Sequence, residues 1–295
     1  MRNRKGPNMR KLPLTVSLIL TFAVGSTAMG QYYVHHDFDT SWTGDYAPGW
    51  ENTLYRHGEA PVGKMMEFYA GGRNGTGGMR LIAASTPEDW MWWAAVNPSD
   101  VNPLAMQIQY DPWVSVWYYD EGWDTEASWN PDLHRVGQLN AVPSWTNNYI
   151  DTDDPPDGIG DEDWTDVQFG ARCNQAPPND QYYYVAVGEG HPGWQNTGVD
   201  RTEGWHQLKM QLLSSDGMIH FYLDGSPVGT SYRDDYADLV GIGLMIQFTD
   251  PLSSWVHHKP WTIWDEFEYG STCPEPASLT VLALGGLALF RIKRR

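Results

Sequence analysis

The sequence predicts an all-β protein built as a two-sheet antiparallel sandwich, with a short hydrophobic helix at each terminus. Short stretches rich in Val, Ile, Tyr, Phe and Trp recur along the chain, and Gly, Pro, Asn and Asp separate them. Residues 207–212 alternate strictly between polar and apolar side chains, which is the period of a strand with one wet face. Between the terminal segments, no long stretch shows the 3.6-residue apolar period of an amphipathic helix.

The first 30 residues have the order of a secretory signal peptide. Five basic residues come first, an apolar stretch follows from Leu12 to Val24, and Ala28-Met29-Gly30 closes the segment. The apolar stretch is shorter than the about 20 residues that a membrane-spanning helix needs. We therefore expect cleavage after Gly30, which makes Gln31 the mature N-terminus and places the protein beyond the inner membrane.

Eleven stretches of the body are predicted to be strands. Each combines β-branched or aromatic residues with turn residues at its ends. A body of about 240 residues without a linker or repeat is of the size of one sandwich domain, which we place at residues 31–272. The predicted strands are 33–39, 64–69, 79–84, 104–110, 113–119, 166–173, 181–187, 204–213, 217–224, 240–248 and 260–269.

The strongest strand pattern is a hairpin in the C-terminal third. Polar and apolar residues alternate from Gln207 to Leu212, and the alternation resumes from Ile219 to Leu223. Ser214–Gly217 supplies turn residues between the two strands. Asp224-Gly225 then predicts a second tight turn, so the segment reads as an antiparallel meander.

The body of the chain is strongly acidic once the termini are set aside. The whole chain has 19 basic and 37 acidic residues. Nine of the basic residues and one acidic residue lie in 1–30 and 274–295, which leaves the body 10 basic and 36 acidic residues and a net charge of −26. Such a body lacks the clustered Lys and Arg that nucleic acid requires. Divalent cations and neutral glycans are the ligands that this charge allows.

The C-terminal segment, residues 273–295, has three features in a fixed order. A Pro-Glu-Pro motif precedes thirteen mostly apolar residues, 278–290, and a basic cluster ends the chain. Basic residues after an apolar segment stay on the cytoplasmic side, which would hold the body outside. This order resembles the PEP-CTERM sorting signal and so implies processing by an exosortase, a membrane protease of Gram-negative bacteria; an ordinary single-span anchor is the alternative. The sorting residues are Pro274, Glu275, Pro276, Arg291, Lys293, Arg294 and Arg295.

Short motifs in the C-terminal third follow one another in a recognisable order. A Gly-Trp-His-x-Leu strand at 204–208 precedes Phe-Tyr-Leu-Asp-Gly at 221–225, a further apolar strand and a closing segment, Trp264–Tyr269. This order resembles a concanavalin A-like, laminin-G-like jelly roll over residues 200–271. His36–Asp39 is similar to the opening strand that pairs with the last one in such folds. The resemblance implies a jelly-roll sandwich, a fold whose members are often glycan-binding modules.

Some members of that fold family are glycoside hydrolases of the laminarinase type, which use two carboxylates about 5–5.5 Å apart. Their strand motif places Glu, Asp and Glu at alternating positions, whereas this chain has Asp265-Glu266-Phe267-Glu268. Only Glu266 and Glu268 share a predicted face, and we interpret them as the polar side of the last strand. The chain is therefore predicted to be non-catalytic, with hydrolysis as the alternative. The residues assigned to the core side are Ile263, Phe267 and Tyr269.

Asp265 falls on the predicted core side of the last strand, where an unpaired carboxylate is costly. Many lectin-like sandwiches hold a calcium ion between their first and last strands, so the resemblance implies that Asp37 and Asp265 bind calcium. The alternative is a hydrogen-bonded Asp at a strand end or bulge. The acidic stretch 151–163 offers another calcium site, although it fails the EF-hand spacing and is alternatively a solvated loop. Its candidate ligands are Asp153, Asp157 and Asp161.

All 16 tryptophans lie in the body of the chain. Flat aromatic rings suit the apolar faces of sugars, and neighbouring polar side chains bind the hydroxyl groups. Most of these rings are expected to fill the core of the sandwich. The tryptophans proposed to bind a glycan are Trp92, Trp93, Trp117 and Trp123.

These observations predict an exported cell-envelope protein with a non-catalytic, lectin-like domain that binds or organises extracellular polysaccharide or matrix. The expected partners are an exosortase-type membrane protease and an extracellular glycan. Nucleic acid is excluded, and the membrane is contacted only through the C-terminal segment before processing. Calcium is the one cofactor considered. The alternatives are a laminarinase-type glycoside hydrolase and a purely structural envelope protein.

Overall fold

The structure is a computed structural model of the 295-residue chain. Contacts between Cα atoms divide the chain into two units, Tyr33–Cys273 and the two terminal segments Met1–Tyr32 with Pro274–Arg295. The predicted signal peptide and almost all of the sorting tail lie outside the described residues. Among the residues that are described, no helix has the length and apolar character needed to cross a membrane. The structure describes residues 31–44, 46–51, 66–82, 90–97, 99–122, 136–142, 167–172, 181–187, 194–231, 236–239, 241–248 and 261–274.

Fifteen strands and two short 3-10 helices make up the regular structure of the described residues. The helices are Arg73–Gly75 and Ile108–Tyr110. The strands are β1 (Gln31–His36), β2 (Trp50–Glu51), β3 (Met66–Tyr69), β4 (Gly78–Ile82), β5 (Trp90–Val96), β6 (Trp113–Glu121), β7 (Val136–Val142), β8 (Val167–Arg172), β9 (Tyr182–Val187), β10 (Trp194–Asp200), β11 (Glu203–Leu212), β12 (Ile219–Leu223), β13 (Ser226–Thr230), β14 (Gly241–Phe248) and β15 (Trp261–Pro274).

The strands form two antiparallel sheets that pack face to face. The first sheet has the order β13-β12-β11-β6-β15-β4-β3, and β1 also pairs with β15. The second sheet has the order β10-β9-β8-β7-β14-β5-β2. Phe169 of the second sheet meets Phe221 of the first with 5.7 Å between ring centroids, and Trp50 meets Phe267 at 4.8 Å. The predicted all-β, two-sheet antiparallel sandwich is therefore confirmed.

The predicted meander forms the edge of the first sheet. β11 pairs with β12 from Leu208 opposite Leu223 to Leu212 opposite Ile219. The apolar residues of the alternation are buried in the core, as the period of two predicted. The polar residues between them are half-buried on the opposite face of the sheet, which is the outer face of the sandwich.

Not every predicted strand is a strand. Residues 104–110 form turns and a 3-10 helix, because the Asn102 side-chain oxygen accepts a hydrogen bond from Leu104 N at 3.1 Å and starts a turn. Five observed strands were not predicted, and three of them contain Gly, Asn or Pro, which lower β-propensity until tertiary pairing overrides it. The strands that were not predicted are Trp50–Glu51, Trp90–Val96, Val136–Val142, Trp194–Asp200 and Ser226–Thr230.

A buried ion pair ties the turn before β11 to the end of β6. Arg201 Nε lies 2.9 Å from Asp120 Oδ2, and Arg201 Nη2 lies 2.7 Å from Asp120 Oδ1. Burial opposes ionisation of Asp120, but the Arg201 guanidinium outweighs it and holds the pKa of that carboxyl below its usual range. Removing one partner of such a pair costs about 3–5 kcal/mol, so this contact helps to fix the position of β11 against β6.

A β-bulge in β15 reverses the side-chain alternation of the last strand. Asp265 pairs with Trp117 of β6 and Glu268 pairs with Ser115, so three steps along β15 match two along β6. Glu266 occupies the extra position with a φ of 46°, in the left-handed region. Even-numbered residues therefore point into the core before the bulge, and odd-numbered residues point into it after the bulge.

The bulge corrects the predicted faces of the last strand. Phe267 and Tyr269, after the bulge, lie in the core as predicted, but before the bulge Trp264 fills the core. Ile263 is only half-buried and pairs with the outward-facing Tyr119, so its assignment to the core side was wrong. Asp265 also belongs to the outer face, because it precedes the bulge and pairs with the outward-facing Trp117. The extra residue at the bulge is the reason why Phe267, two positions later, points into the core instead.

Candidate functional site

The outer face of the first sheet carries a group of aromatic side chains, which we call the aromatic face. Along β6, the alternate residues Val114, Val116 and Tyr118 point into the core, so the residues between them point outward. The outward rings are half-buried, and Tyr33 of β1 is 51% exposed. The aromatic face consists of Tyr33, Trp113, Trp117, Tyr119, Trp205 and Tyr222.

Strand register places these rings in rows across the sheet. Trp205 of β11 lies opposite Tyr119 of β6, and their rings meet edge to face with 5.5 Å between centroids. Two residues along the strands, Gln207 lies opposite Trp117. One row thus pairs two aromatic rings, and the next pairs an aromatic ring with an amide side chain that can form hydrogen bonds.

The row through the middle of the aromatic face contains the charged groups Lys209 and Glu268. Tyr222 of β12 pairs with Lys209 of β11, Lys209 pairs with Ser115 of β6, and Ser115 pairs with Glu268 of β15. The Lys209 ammonium lies 5.1 Å from the centroid of the Trp113 ring, in the next row, and 5.8 Å from that of Tyr222. Both distances are within the range of a cation–π contact.

Glu268 is held by hydrogen bonds from the same face. The Tyr33 hydroxyl donates to Glu268 Oε1 at 2.7 Å, and the Ser115 hydroxyl lies 3.5 Å from Glu268 Oε2. Burial and the neighbouring Glu268 carboxylate raise the pKa of Tyr33 to about 12. The phenol therefore stays protonated at neutral pH and acts as a donor, either to Glu268 or to a bound molecule.

Arg73 covers one side of the aromatic face. Its guanidinium carbon lies 3.5 Å from the centroid of the Trp117 ring, and its Nη1 forms an ion pair with Glu266 Oε2 at 2.5 Å. The Trp117 ring is thus stacked by a cation. Glu266 is engaged by Arg73 and Glu268 by Tyr33, so each of the two carboxylates considered for hydrolysis already has a partner in the chain.

Asp265 is buried beneath the loop that contains Arg73. Its Oδ2 accepts a hydrogen bond from Arg73 N and its Oδ1 one from Glu266 N, each at 2.8 Å. Burial raises the pKa of Asp265 to about 6, and these hydrogen bonds only partly oppose the effect. Glu266 and Asp39 add to the rise as neighbouring negative charges.

Two glycines allow the loop to lie this close to Asp265. Gly72 N donates to Thr76 O at 3.0 Å and closes the loop on itself. A Cβ on Gly72 would lie 1.9 Å from Gly77 O and 2.9 Å from Asp265 Oδ2, and a Cβ on Gly77 would lie 2.7 Å from Phe38 O. Any larger residue at either position would push the loop away from the sheet.

The predicted calcium pair, Asp37 and Asp265, is not brought together by a shared hydrogen-bond network. Asp37 Oδ1 accepts a hydrogen bond from Asp39 N at 3.1 Å, and it is Asp39 whose charge bears on Asp265. Among the residues the structure describes, no three His, Cys, Asp or Glu side chains form a group able to hold a metal ion. Calcium takes about 6–8 oxygen ligands, and Asp265 here fits the alternative of a hydrogen-bonded carboxylate at a bulge. Calcium binding stays a prediction.

The predicted ligand-binding tryptophans that the structure describes do not all lie on the same sheet. Trp117 lies on the aromatic face, whereas Trp92 and Trp93 lie in β5 of the second sheet, opposite Ile246 and Met245 of β14. Pro274 ends β15. The other predicted site residues lie outside the described residues; they are Trp123, Asp153, Asp157, Asp161, Glu275, Pro276, Arg291, Lys293, Arg294 and Arg295.

Several residues of the aromatic face were not singled out from the sequence. Lys209 and Tyr222 occupy the polar positions of the predicted hairpin, so the period of two contained the signal that both face outward. Trp205 has the parity of Gln207 and Lys209 along the same strand, so the alternation placed it on the outer face as well. Tyr33 could not be found in this way, because its neighbours on the face come from strands distant in the sequence.

Comparison with known proteins yields only distant structural similarity. No protein-family model matches the chain, and no curated protein matches it. It is similar to an endo-beta-1,4-glucuronan lyase from the fungus Trichoderma reesei, with a TM-score of 0.45, 14% identity, and coverage of 81% of this chain and 94% of that one. It is also similar to a protein of unknown function from Shewanella oneidensis MR-1, with a TM-score of 0.45, 12% identity, and coverage of 92% and 99%. A third similar structure is domain 4 of an extracellular arabinanase from Geobacillus stearothermophilus, in complex with arabinotriose. Its TM-score is 0.40 and its identity is 15%, with coverage of 86% of this chain and 98% of that one.

Proposed function

We propose that this protein binds polysaccharide on the aromatic face of a lectin-like sandwich of the concanavalin A-like, jelly-roll type. The observation that carries the proposal is the concentration of six aromatic side chains on one outer sheet face, where none of them is needed to fill the core. A contiguous group of outward-facing apolar rings marks an interaction site more often than single exposed rings do. Sugars offer apolar faces to such rings and hydroxyl groups to the polar residues between them.

The aromatic face favours binding over catalysis. Glycoside hydrolysis requires two carboxylates, one of which gives or takes a proton. Glu266 is held by Arg73, and Glu268 accepts the hydrogen bond from Tyr33. With both carboxylates engaged, the face is suited to hold a glycan chain, and laminarinase-type hydrolysis is the second candidate.

The terminal segments support a role at the cell envelope. The signal-peptide order of residues 1–30 and the PEP-CTERM-like order of residues 274–295 both direct the body of the chain out of the cytoplasm. An exported glycan-binding domain would meet extracellular polysaccharide there. We therefore propose that the protein organises envelope or matrix polysaccharide and that an exosortase-type protease processes its tail.

The test is glycan binding by the full-length chain and by a variant of the aromatic face. Affinity electrophoresis through gels that contain soluble polysaccharides should show retardation by at least one polymer. Trp205→Ala should weaken that binding about tenfold, since one aromatic contact is worth about 1 kcal/mol or more. Tyr182→Ala, on β9 of the second sheet, is the matched control and should bind as the parent chain does.

Three outcomes would count against the proposal. Binding to no polymer in a broad panel would leave the purely structural envelope role. Equal loss in the Trp205 and Tyr182 variants would place the binding site elsewhere. Release of new reducing ends from a bound polymer would favour the hydrolase over a binding protein.

A further inference from the structure

We propose that the polysaccharide held on the aromatic face is acidic, and that Lys209 binds a sugar carboxylate at the middle of that face. This inference rests on the proposed function and adds the chemical class of the ligand. It also departs from the neutral glycan that the net charge of the body suggested.

Lys209 lies where a ligand lying across the sheet would have to pass. It is in the third strand from one edge of the first sheet, and its ammonium is flanked by Trp113 and Tyr222. The rings on either side offer apolar contacts to sugar rings, and the ammonium between them offers up to three hydrogen-bond donors. A sugar ring stacked on Trp113 would bring its substituents to the ammonium.

The charge of Lys209 is poorly compensated by the described part of the chain. Its ammonium forms no ion pair or hydrogen bond within the described segments. Glu268 attracts it at longer range, but the oxygens of Glu268 face the Tyr33 and Ser115 hydroxyl groups. Partial burial lowers the pKa of Lys209, as expected of a cation that has lost water without gaining a close anion.

The other described cations on this face have partners. Arg73 is paired with Glu266, and Arg80 is paired with Glu67 at 2.6 Å while it lies over the Tyr69 and Trp261 rings. Each of these guanidinium groups is therefore already neutralised. Lys209 is the cation of the aromatic face whose ammonium, within the described residues, remains available to an external carboxylate.

The net charge of −26 of the body does not prevent local binding of an anion. Charges on the outer surface are screened over about 8 Å at physiological ionic strength. A carboxylate in contact with Lys209 is governed by that ammonium and by the rings that exclude water around it. A charge-assisted hydrogen bond in such a place is about twice as strong as a neutral one.

The experiment compares acidic polymers with neutral polymers of the same backbone. Polygalacturonate, polyglucuronate and alginate are each paired with their carboxyl-reduced counterparts, and binding to the full-length chain is measured by titration calorimetry. We expect at least one polyuronate to bind about tenfold more tightly than its reduced counterpart. Lys209→Met should remove that preference, so that the polyuronate and its reduced counterpart bind the variant equally, whereas Lys209→Arg should retain the preference.

The possible failures are distinguishable. Equal binding of acidic and reduced polymers, or a preference that Lys209→Met does not change, would overturn the acidic subsite and leave glycan binding intact. Failure of every polymer in both the acidic and the neutral set would overturn the proposed function together with this inference. Thermal unfolding of Lys209→Met shows whether its loss of binding reflects a loss of fold, and retained preference in Lys209→Arg shows that the positive charge at this position is what the polyuronate requires.

Discussion

Two buried carboxylates of this protein lie in opposite electrostatic surroundings. Asp120 contacts the Arg201 guanidinium through both oxygens, and the ion pair keeps it ionised. Asp265 receives only backbone N–H groups, and its charged neighbours are negative. Ionised Asp120 therefore stabilises the fold, whereas ionised Asp265 destabilises it.

The titration of Asp265 should make the fold less stable as pH rises. Its pKa is about 6 in the folded protein against an ordinary value of 3.8, so between these values the folded chain holds a proton that the unfolded chain has lost. The contribution of Asp265 to the free energy of unfolding should fall by about 2 kcal/mol across this window, with partial solvation reducing the full effect. The lowered pKa of His36 acts in the opposite direction, so the Asp265 contribution is measured as a difference from a variant. Urea unfolding of both chains between pH 4 and pH 7 gives that difference.

Asp265→Asn isolates this contribution, because the variant carries no titrating group at position 265. The difference in unfolding free energy between the parent chain and the variant cancels the other titrating groups. This difference should change by about 2 kcal/mol between pH 4 and pH 7, in the direction that favours the variant at the higher pH. A constant difference across the range would show that Asp265 has an ordinary pKa.

At the scale of single elements, tight turns and the bulge of β15 set the register of the first sheet. Asp224 and Gly225 both have positive φ, 50° and 78°, which is the conformation of a two-residue hairpin turn between β12 and β13. Asp224 also accepts hydrogen bonds from Gln207 N and contacts His206, so this turn is tied to β11. The turn holds Tyr222 and Lys209 in register opposite each other.

Gly225→Ala should destabilise the protein by about 1 kcal/mol through the backbone alone. A Cβ at position 225 would meet no atom within 4 Å, so the cost arises from the left-handed φ of 78°. Gly229→Ala is the matched control on β13, because its Cβ would make ordinary contacts of 3.9 Å with Phe221 and Val185. Urea unfolding should show a change of no more than about 0.5 kcal/mol for the control. Equal effects of the two substitutions would rule out strain at Gly225.

Over the whole molecule, the sandwich brings distant parts of the chain onto one outer surface. β15, near the C-terminal end, pairs with β6 and with β1 at the start of the body. Tyr33 and Glu268, 235 residues apart, are joined by a hydrogen bond as a result. The aromatic face thus exists only when the sheet is complete.

Processing at both termini is the prediction for the intact protein. Intact-mass measurement of the exported chain from a Gram-negative host with an exosortase should give a species that begins at Gln31 and lacks the apolar C-terminal segment. Replacing Pro274-Glu275-Pro276 with three alanines should leave the tail in place and the chain in the membrane fraction, because the basic end stays in the cytoplasm. The same chain in a host without an exosortase is the control. Retention of residues 1–30, or of the tail in the parent chain, would contradict the assignment.

Local patterns predicted the parts of the fold that depend on local chemistry. The hairpin of β11 and β12 follows from alternation alone, since every apolar residue of the pattern is buried. β7 and β13 were not predicted, because Gly137 and Pro227 are poor strand residues that neighbouring strands hold in place. The bulge at Glu266 was missed for a related reason, as an extra residue is visible only against the strand it pairs with.

Residue order was enough to predict the all-β class and to fix the acidic charge of the body, because periodicity and charge are properties of neighbouring residues. The export and sorting roles of the two terminal segments stay predictions. Which side chains meet on the aromatic face depended on strand register. Lys209 meets Trp113 and Tyr222, and Asp265 lies under the loop of Arg73, only after strands far apart in the chain have paired. Packing of the core sets that register, since a shift of one residue would turn every buried side chain outward.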